Sequence, residues 1–143
     1  MKNILVTLEL DESSQKIVDY AGGLAKKLDA KLWLVHITAP EPDFVGYKVG
    51  PQYVRDARAD EIKGELAELR KHTYSLKEKG VDAEGFLLQG ATVDMVAEES
   101  EKLNIDLLIA GRHDKDFFYR LFAGSVSEEI LRRVHIPVLL LPI

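Results

Sequence analysis

The chain alternates short apolar runs with longer segments whose apolar residues recur at a helical period. Four runs are clear and a fifth is weaker; they span Ile4 to Leu8, Leu32 to Ile37, Leu107 to Ala110, Val138 to Leu141 and, less clearly, Ala83 to Gln89. The clear runs are apolar at consecutive positions instead of alternate ones, which is typical of strands buried on both faces. This pattern predicts a parallel sheet covered by helices.

The segments between the runs predict four helices, each with one apolar face. Those faces consist of Ile17, Ala21, Leu24 and Leu28; of Ile62, Leu66, Leu69, Thr73 and Leu76; of Val93, Val96, Ala97 and Leu103; and of Val126, Ile130, Leu131 and Val134, before Pro137. The order is therefore βαβαβαβαβ, which indicates an α/β domain with right-handed crossovers. We expect one domain over residues 1–143.

Two segments of this scheme have an unusual composition. The connection from Thr38 to about Tyr53 is rich in proline and glycine and has no clear period. A loop of this length in so small a domain is usually functional or mobile. The second helix, from about Val54 to Lys79, has charged residues mostly off its apolar stripe, and we interpret them as a solvated face with i,i+4 ion pairs.

Composition excludes several classes of protein. Nineteen Lys and Arg against twenty-four Asp and Glu give a net charge of −5, so the basic surface of a general nucleic-acid-binding protein is not expected. The chain has no cysteine, which excludes disulfides, thiolate metal sites and a cysteine nucleophile. No apolar stretch approaches the ~20 residues that span a bilayer, and no signal-peptide pattern is present. We therefore expect a cytoplasmic protein that binds neither nucleic acid nor a membrane.

The connection between the fourth strand and the fourth helix has the residues of a phosphate site. Gly111 ends the strand and Gly124-Ser125 opens the helix. Backbone N–H groups at a helix start are unpaired, the helix dipole favours an anion, and glycine allows a ligand to approach the backbone closely. The segment also fits a capping box, in which Ser125 and Glu128 satisfy each other's backbone donors without a ligand. Local spacing leaves both interpretations open.

In order and spacing, these segments resemble the universal stress protein family over essentially the whole chain. The resemblance is carried by Ile4 to Glu9 followed by Ser13, Leu34 to Ile37, Gly90, Asp106 to Gly111, and Pro137 to Pro142. It implies a Rossmann-like (HUP-type) α/β fold with an open parallel five-stranded sheet in the order 3-2-1-4-5 and helices on both faces. It also implies a nucleotide cleft where strands one and four part, and a homodimer formed through the C-terminal strand, Val138 to Leu141.

The ATP-binding branch of that family has the motif G-x2-G-x9-G-[ST], which this chain matches in spacing. The nucleotide-binding residues that the resemblance implies are Thr7, Glu9, Ile37, Ala110, Gly111, Arg112, His113, Gly124, Ser125 and Val126. Among them, Thr7, Ile37 and Ala110 would flank adenine. Gly111 would approach the ribose and phosphates, and the segment 124–126 would hold phosphate oxygens.

Two residues depart from this motif where a ligand would touch them. Glu9 stands where the family usually has Asp, and Asp114 replaces the second motif glycine. Asp114 adds a side chain where the backbone should approach, and its charge faces a triphosphate. Like charges about 4 Å apart repel by ~1 kcal/mol in water and by several kcal/mol at a protein surface. Arg112, Lys115 and Arg120 would offset that repulsion.

Two functions of different classes follow. The first is a non-enzymatic stress-response domain that binds ATP or another adenine nucleotide with little or no hydrolysis, with Mg²⁺ entering only with the nucleotide. The second is a dimeric stress protein that acts through protein partners without a nucleotide. Gly111 and Gly124-Ser125 at the motif spacing favour the first, and the segment 124–127 resembles the branch that binds ATP. Glu9 and Asp114 favour the second, and the loop Asp116-Phe117-Phe118 with the missing glycine resembles the branch that does not bind ATP. The sequence has no P-loop, G-x-S-x-G or dinucleotide motif, and an ATPase would lack an evident base for water.

The four histidines predict no metal site, because no pair has the spacing of metal ligands. His36 lies within an apolar strand, and we interpret it as a core histidine satisfied by a hydrogen bond. His113 follows a strand end beside the expected cleft and is therefore kept among the candidate binding residues.

Overall fold

The computed structural model describes residues 1–38, 52–89, 92–112 and 133–143. The elements in chain order are β1 (Asn3–Leu8), α1 (Ser14–Leu28), β2 (Lys31–Thr38), α2 (Gln52–Glu78), β3 (Ala83–Gln89), α3 (Thr92–Lys102), β4 (Leu107–Arg112) and β5 (Val138–Pro142). All five predicted strands are present, with ends within two residues of the prediction. The predicted fourth helix and the connection after β2 lie outside the described residues, apart from their ends.

The five strands form one sheet in the order β3-β2-β1-β4-β5, and each neighbouring pair is parallel. This arrangement confirms the predicted Rossmann-like fold class. The chain builds outward from β1 to β2 and β3, and then returns to the other side of β1 to place β4 and β5. The direction of growth of the sheet therefore reverses between β1 and β4.

The core consists of two apolar clusters, one on each face of the sheet. On β1, Ile4, Val6 and Leu8 pack in the cluster with α1 and α2, whereas Leu5 packs in the cluster that includes Val96 of α3. Because successive strand side chains point to opposite faces, a strand covered on both sides must be apolar at consecutive positions. This explains why the runs are continuous, and it confirms helices on both faces.

The apolar face predicted for α1 is correct at its centre and wrong at its end. Ile17 and Ala21 are buried, but Leu28 is 40% exposed. The helix ends at Leu28, and Asp29 adopts a left-handed conformation that reverses the chain. Ala30 then occupies the buried position, with its amide donating to the Ala25 carbonyl. The chain therefore leaves the helix before Leu28 can pack against the sheet.

Side-chain hydrogen bonds join the amino ends of the strands. Oδ2 of Asp106, just before β4, accepts the backbone N–H groups of Lys2 (2.7 Å) and Asn3 (3.0 Å). These bonds, that of Asn3 foremost, lower the pKa of Asp106. Trp33 of β2 donates its ring N–H to the Asn3 side chain at 3.1 Å. These hydrogen bonds therefore connect the amino ends of β2, β1 and β4.

None of the helices in the described ranges is long and apolar enough to cross a membrane.

Candidate functional site

The central strands β1 and β4 part at their carboxyl ends. Their pairing runs from Ile4 with Leu107 to Val6 with Ile109. On the outer sides, pairing extends further, to Leu8 with His36 between β1 and β2 and to Arg112 with Pro142 between β4 and β5. The gap therefore opens where the direction of sheet growth reverses, which is where open α/β sheets bind ligands.

The structure brings three of the predicted binding residues together on one face beside this gap. Ile37 and Ala110 belong to the cluster on the α3 side. Thr7 points to the same side, because its neighbours Val6 and Leu8 pack on the opposite face. Ala110 is fully buried, whereas Thr7 and Ile37 are only half-buried. Incomplete burial on two central strands leaves an accessible wall of mainly apolar character, suited to a flat ring.

The phosphate half of the predicted site is described only in part. Gly111 is buried in β4, and Arg112 ends that strand. His113, Gly124, Ser125 and Val126 lie outside the described residues, as does Asp114. The implied roles of these residues remain predictions.

The turn after β1 contains acidic residues, and the carboxylate of one of them, Asp11, forms hydrogen bonds within the turn. Glu9 is exposed at the end of the strand, and Leu10 adopts a left-handed conformation with a φ of 60°. Asp11 accepts both the backbone N–H of Ser13 at 2.9 Å and the Ser13 hydroxyl. The Asp11 side chain therefore shapes the turn into α1, whereas Glu9 stands next to the gap.

Sequence reasoning missed Ser14, the first residue of α1. Ser14 is 1% exposed, and its hydroxyl has no hydrogen-bond partner within the part of the chain that the structure describes. Lys16, two residues further along the same helix, donates to the Pro142 carbonyl at 3.2 Å. The start of α1 therefore lies over the carboxyl edge of the sheet. Ser14 carries no sequence signal of its own, because a serine at a helix start usually acts as a cap.

The hydrogen bond predicted for His36 is confirmed, but the residue is only partly buried and belongs to neither core cluster. Its Nδ1 lies 2.7 Å from the carbonyl oxygen of Leu8. Its Nε2 lies 3.3 Å from Oε2 of Glu65 on α2, a contact that the sequence pattern did not indicate. Among the residues that the structure describes, no group of three or more metal-ligating side chains occurs.

Comparisons with known proteins agree with this architecture. The model of the universal stress protein family matches residues 1–142. A universal stress protein A homolog from Haemophilus ducreyi is 30% identical, covering 99% of this chain and 96% of the relative. A universal stress protein from Methanocaldococcus jannaschii is 27% identical, with coverages of 96% and 80%. The crystal structure of a universal stress protein in complex with cAMP has 26% identity and a TM-score of 0.68, and the match covers 99% of this chain and 96% of that one. The chain therefore belongs to the universal stress protein family.

Proposed function

We propose that this chain is a stress-response domain that binds ATP or another adenine nucleotide in the gap between β1 and β4, with little or no hydrolysis. The observation that carries the proposal is the parting of these strands beside Thr7, Ile37 and Ala110. A family member of known structure, 26% identical, is in complex with cAMP. That complex supports an adenine nucleotide as the class of ligand.

In this proposal different parts of the nucleotide contact different sides of the gap. The half-buried wall on the α3 side takes the adenine ring, and the exposed Glu9 carboxylate takes a ribose hydroxyl. Gly111, Arg112, His113 and the segment 124–126 take the ribose and phosphates. Mg²⁺ enters only together with the nucleotide. Slow or absent hydrolysis follows from the lack of an evident base for water in the sequence.

The experiment is a calorimetric titration of the protein with ATP, using two variants of Thr7. Thr7→Phe fills the proposed adenine space, so we expect it to weaken binding at least tenfold. Thr7→Val replaces the hydroxyl with a methyl group of similar size, so we expect a change of about fivefold or less, which corresponds to the ~1 kcal/mol of one hydrogen bond. Saturable binding that is equal in both variants would place the nucleotide elsewhere.

The same titration decides between the proposal and its alternative, a dimeric stress protein that acts through partners without a nucleotide. If the wild type shows no saturable binding at millimolar ATP, the alternative holds. Asp114→Gly restores the second motif glycine and removes a like charge, so it should then create ATP binding. If Asp114→Gly also fails to bind, the missing glycine is not the reason.

The proposed assembly is a homodimer formed through β5. This strand lies at one edge of the sheet. Val138 and Leu139 are half-buried and Leu140 is 40% exposed. An apolar edge strand offers unpaired backbone groups to another chain, and a second copy of the same strand would cover it.

A further inference from the structure

Helix α2 is longer than the strands that it covers. It has 27 residues, whereas β2 has 8 and β3 has 7. At a rise of about 1.5 Å per residue the helix spans about 40 Å, and at about 3.3 Å per residue the two strands span about 23–26 Å. One part of α2 therefore extends beyond the sheet.

Two contacts between α2 and the sheet show which part extends. Nε2 of His36, near the carboxyl end of β2, lies 3.3 Å from Oε2 of Glu65. A Cβ at Gly85, which pairs with Leu34 of β2, would lie 3.0 Å from Cγ of Leu69. The helix therefore runs antiparallel to the strands, and the residues before Glu65 lie towards the carboxyl ends of the strands.

The first turns of α2 pass beyond the carboxyl end of β2. That strand ends two residues after His36, a distance of about 7 Å. The helix begins at Gln52, 13 residues before Glu65, a distance of about 20 Å. About 13 Å of helix, more than two turns, therefore projects past the end of β2. Since β2 neighbours β1 and contains Ile37, this projection borders the candidate site.

The two halves of α2 differ in how deeply they are buried. The carboxyl-terminal half is anchored to the sheet by three buried residues, Leu69, Thr73 and Leu76. In the range 56–68 no residue is buried to that degree, and the partly buried ones share one side of the helix: Arg58, Ile62, Glu65 and Leu66. The amino-terminal arm, residues 52–63, is therefore attached to the body of the domain less firmly than the rest of the helix.

Gly64 joins the arm to the anchored half. It is exposed, and a Cβ at this position would have no atom within 4 Å, so packing does not require a glycine here. Glycine loses more backbone freedom in a helix than any other residue, so a helix opens more easily at a glycine. Gly23 of α1 is equally open, but the buried Ala21 and Ala25 lie on either side of it. A break at Gly23 would separate packed residues, whereas a break at Gly64 releases only the arm.

We propose that the arm of α2 is a lid that opens about Gly64 and controls entry of the nucleotide to the gap between β1 and β4. The control of entry rests on the proposed function. The helix is continuous through Gly64 in the structure, which is the closed arrangement. Opening breaks the backbone hydrogen bonds that span Gly64 and moves the arm away from the carboxyl ends of the strands.

Gly64→Ala and Gly23→Ala are a matched pair of variants. Each places a methyl group in open space, and each favours its helix by the same amount. In Gly64→Ala the population of the open lid should fall about twofold to fivefold, the factor that corresponds to the preference of about 0.5–1 kcal/mol for alanine over glycine in a helix. Gly23→Ala adds that preference to α1 and should leave the lid unchanged.

The first test is amide hydrogen exchange without nucleotide, measured by NMR and corrected for intrinsic exchange rates. Each helical N–H bonds to the carbonyl four residues earlier, so a break at Gly64 exposes the amides of residues 64–68. We expect these amides to exchange faster than those on either side, and about twofold to fivefold more slowly in Gly64→Ala than in Gly23→Ala or the wild type. Exchange that slows steadily from the first turn of α2 onward would indicate fraying of the helix end and overturns the inference, as does equal exchange in the two variants.

The second test is stopped-flow binding of N-methylanthraniloyl-ATP, a fluorescent ATP analogue. The nucleotide passes the lid in both directions, so Gly64→Ala should lower the association and dissociation rate constants by the same factor of about two to five and leave Kd unchanged. Gly23→Ala should keep the wild-type rate constants. Wild-type rate constants in Gly64→Ala, or a change in Kd alone, contradict the control of entry. If no protein binds the analogue while amides 64–68 exchange as expected, the proposed function fails and the hinge in α2 stands.

Discussion

Gly22 and Gly23 are adjacent on α1 but have opposite surroundings. A Cβ at Gly22 would lie 2.7 Å from Cδ2 of Leu76 on α2, whereas a Cβ at Gly23 would have nothing within 4 Å. Leu76 is 2% exposed, so a Cβ at Gly22 would displace a buried side chain from the contact between α1 and α2. The absence of a side chain at Gly22 therefore allows α1 and α2 to approach, and the glycine at Gly23 has no such role.

This contrast predicts opposite effects of the same substitution. Gly23→Ala should stabilise the fold by about 0.5–1 kcal/mol, because alanine is the better helix former. Gly22→Ala makes the same gain but forces Leu76 to repack at a cost of about 1–3 kcal/mol, so we expect a net loss of about 1 kcal/mol. Urea unfolding followed by circular dichroism measures both. Equal stabilisation by the two substitutions would show that α1 and α2 separate freely.

At this scale the sequence predicts which residues are buried better than which residues they contact. The apolar run around His36 was sufficient to predict that the histidine forms a hydrogen bond, although the residue is only partly buried. Its partner Glu65 was assigned to a solvated face of the second helix, because a charged residue in a charge-rich helix has no local signal of burial. Two residues 29 positions apart meet only when the helix crosses the sheet, and no helical or strand period encodes that crossing.

Among the elements, β5 differs from the central strands in having one uncovered edge. Leu140 is 40% exposed in this strand, and Tyr74 on α2 is 66% exposed. Both are large apolar residues at the surface, but only Leu140 lies on an edge strand with unpaired backbone groups. The proposed dimer therefore depends on the position of Leu140 in the sheet, and not on its hydrophobicity alone.

Replacing Leu140 with lysine should weaken the dimer. Charged residues, lysine above all, are a common means of blocking the pairing of edge strands, and we expect Leu140→Lys to raise the dissociation constant at least tenfold. Tyr74→Lys introduces the same charge away from β5 and should leave the dimer intact. Sedimentation equilibrium of the three proteins measures the constants. A monomeric wild type would refute the proposed assembly, and dissociation of both variants would assign the effect to charge alone.

In the whole molecule, the amino ends and the carboxyl ends of the strands have different roles. Hydrogen bonds of Asp106, Asn3 and Trp33 connect the amino ends of the strands, whereas β1 and β4 separate at their carboxyl ends. The run pattern predicted the strands and the helices on both faces, and the resemblance to the family predicted their order. The gap could be placed from that order alone, because the reversal point of a sheet is a topological property. The hydrogen bonds of Asp106 could not be predicted, because they join residues about 100 positions apart.

The hydrogen bonds of Asp106 at the amino ends of the strands should make the free energy of unfolding decrease at acidic pH. The backbone N–H groups of Asn3 and Lys2 lower the pKa of Asp106 in the folded protein. The stabilisation that Asp106 provides is therefore complete above its unfolded pKa of about 3.9, and it is lost as the pH falls through the lower folded pKa. Asp106→Asn should therefore be less stable than the wild type at pH 7, and the difference should shrink below about pH 4. Asp82→Asn removes the same charge from an exposed position just before β3 and provides the control. Urea unfolding of the three proteins at pH 7 and at about pH 2 measures the difference in stability. If Asp106→Asn is destabilised equally at both pH values, the two hydrogen bonds do not depend on the charge of Asp106.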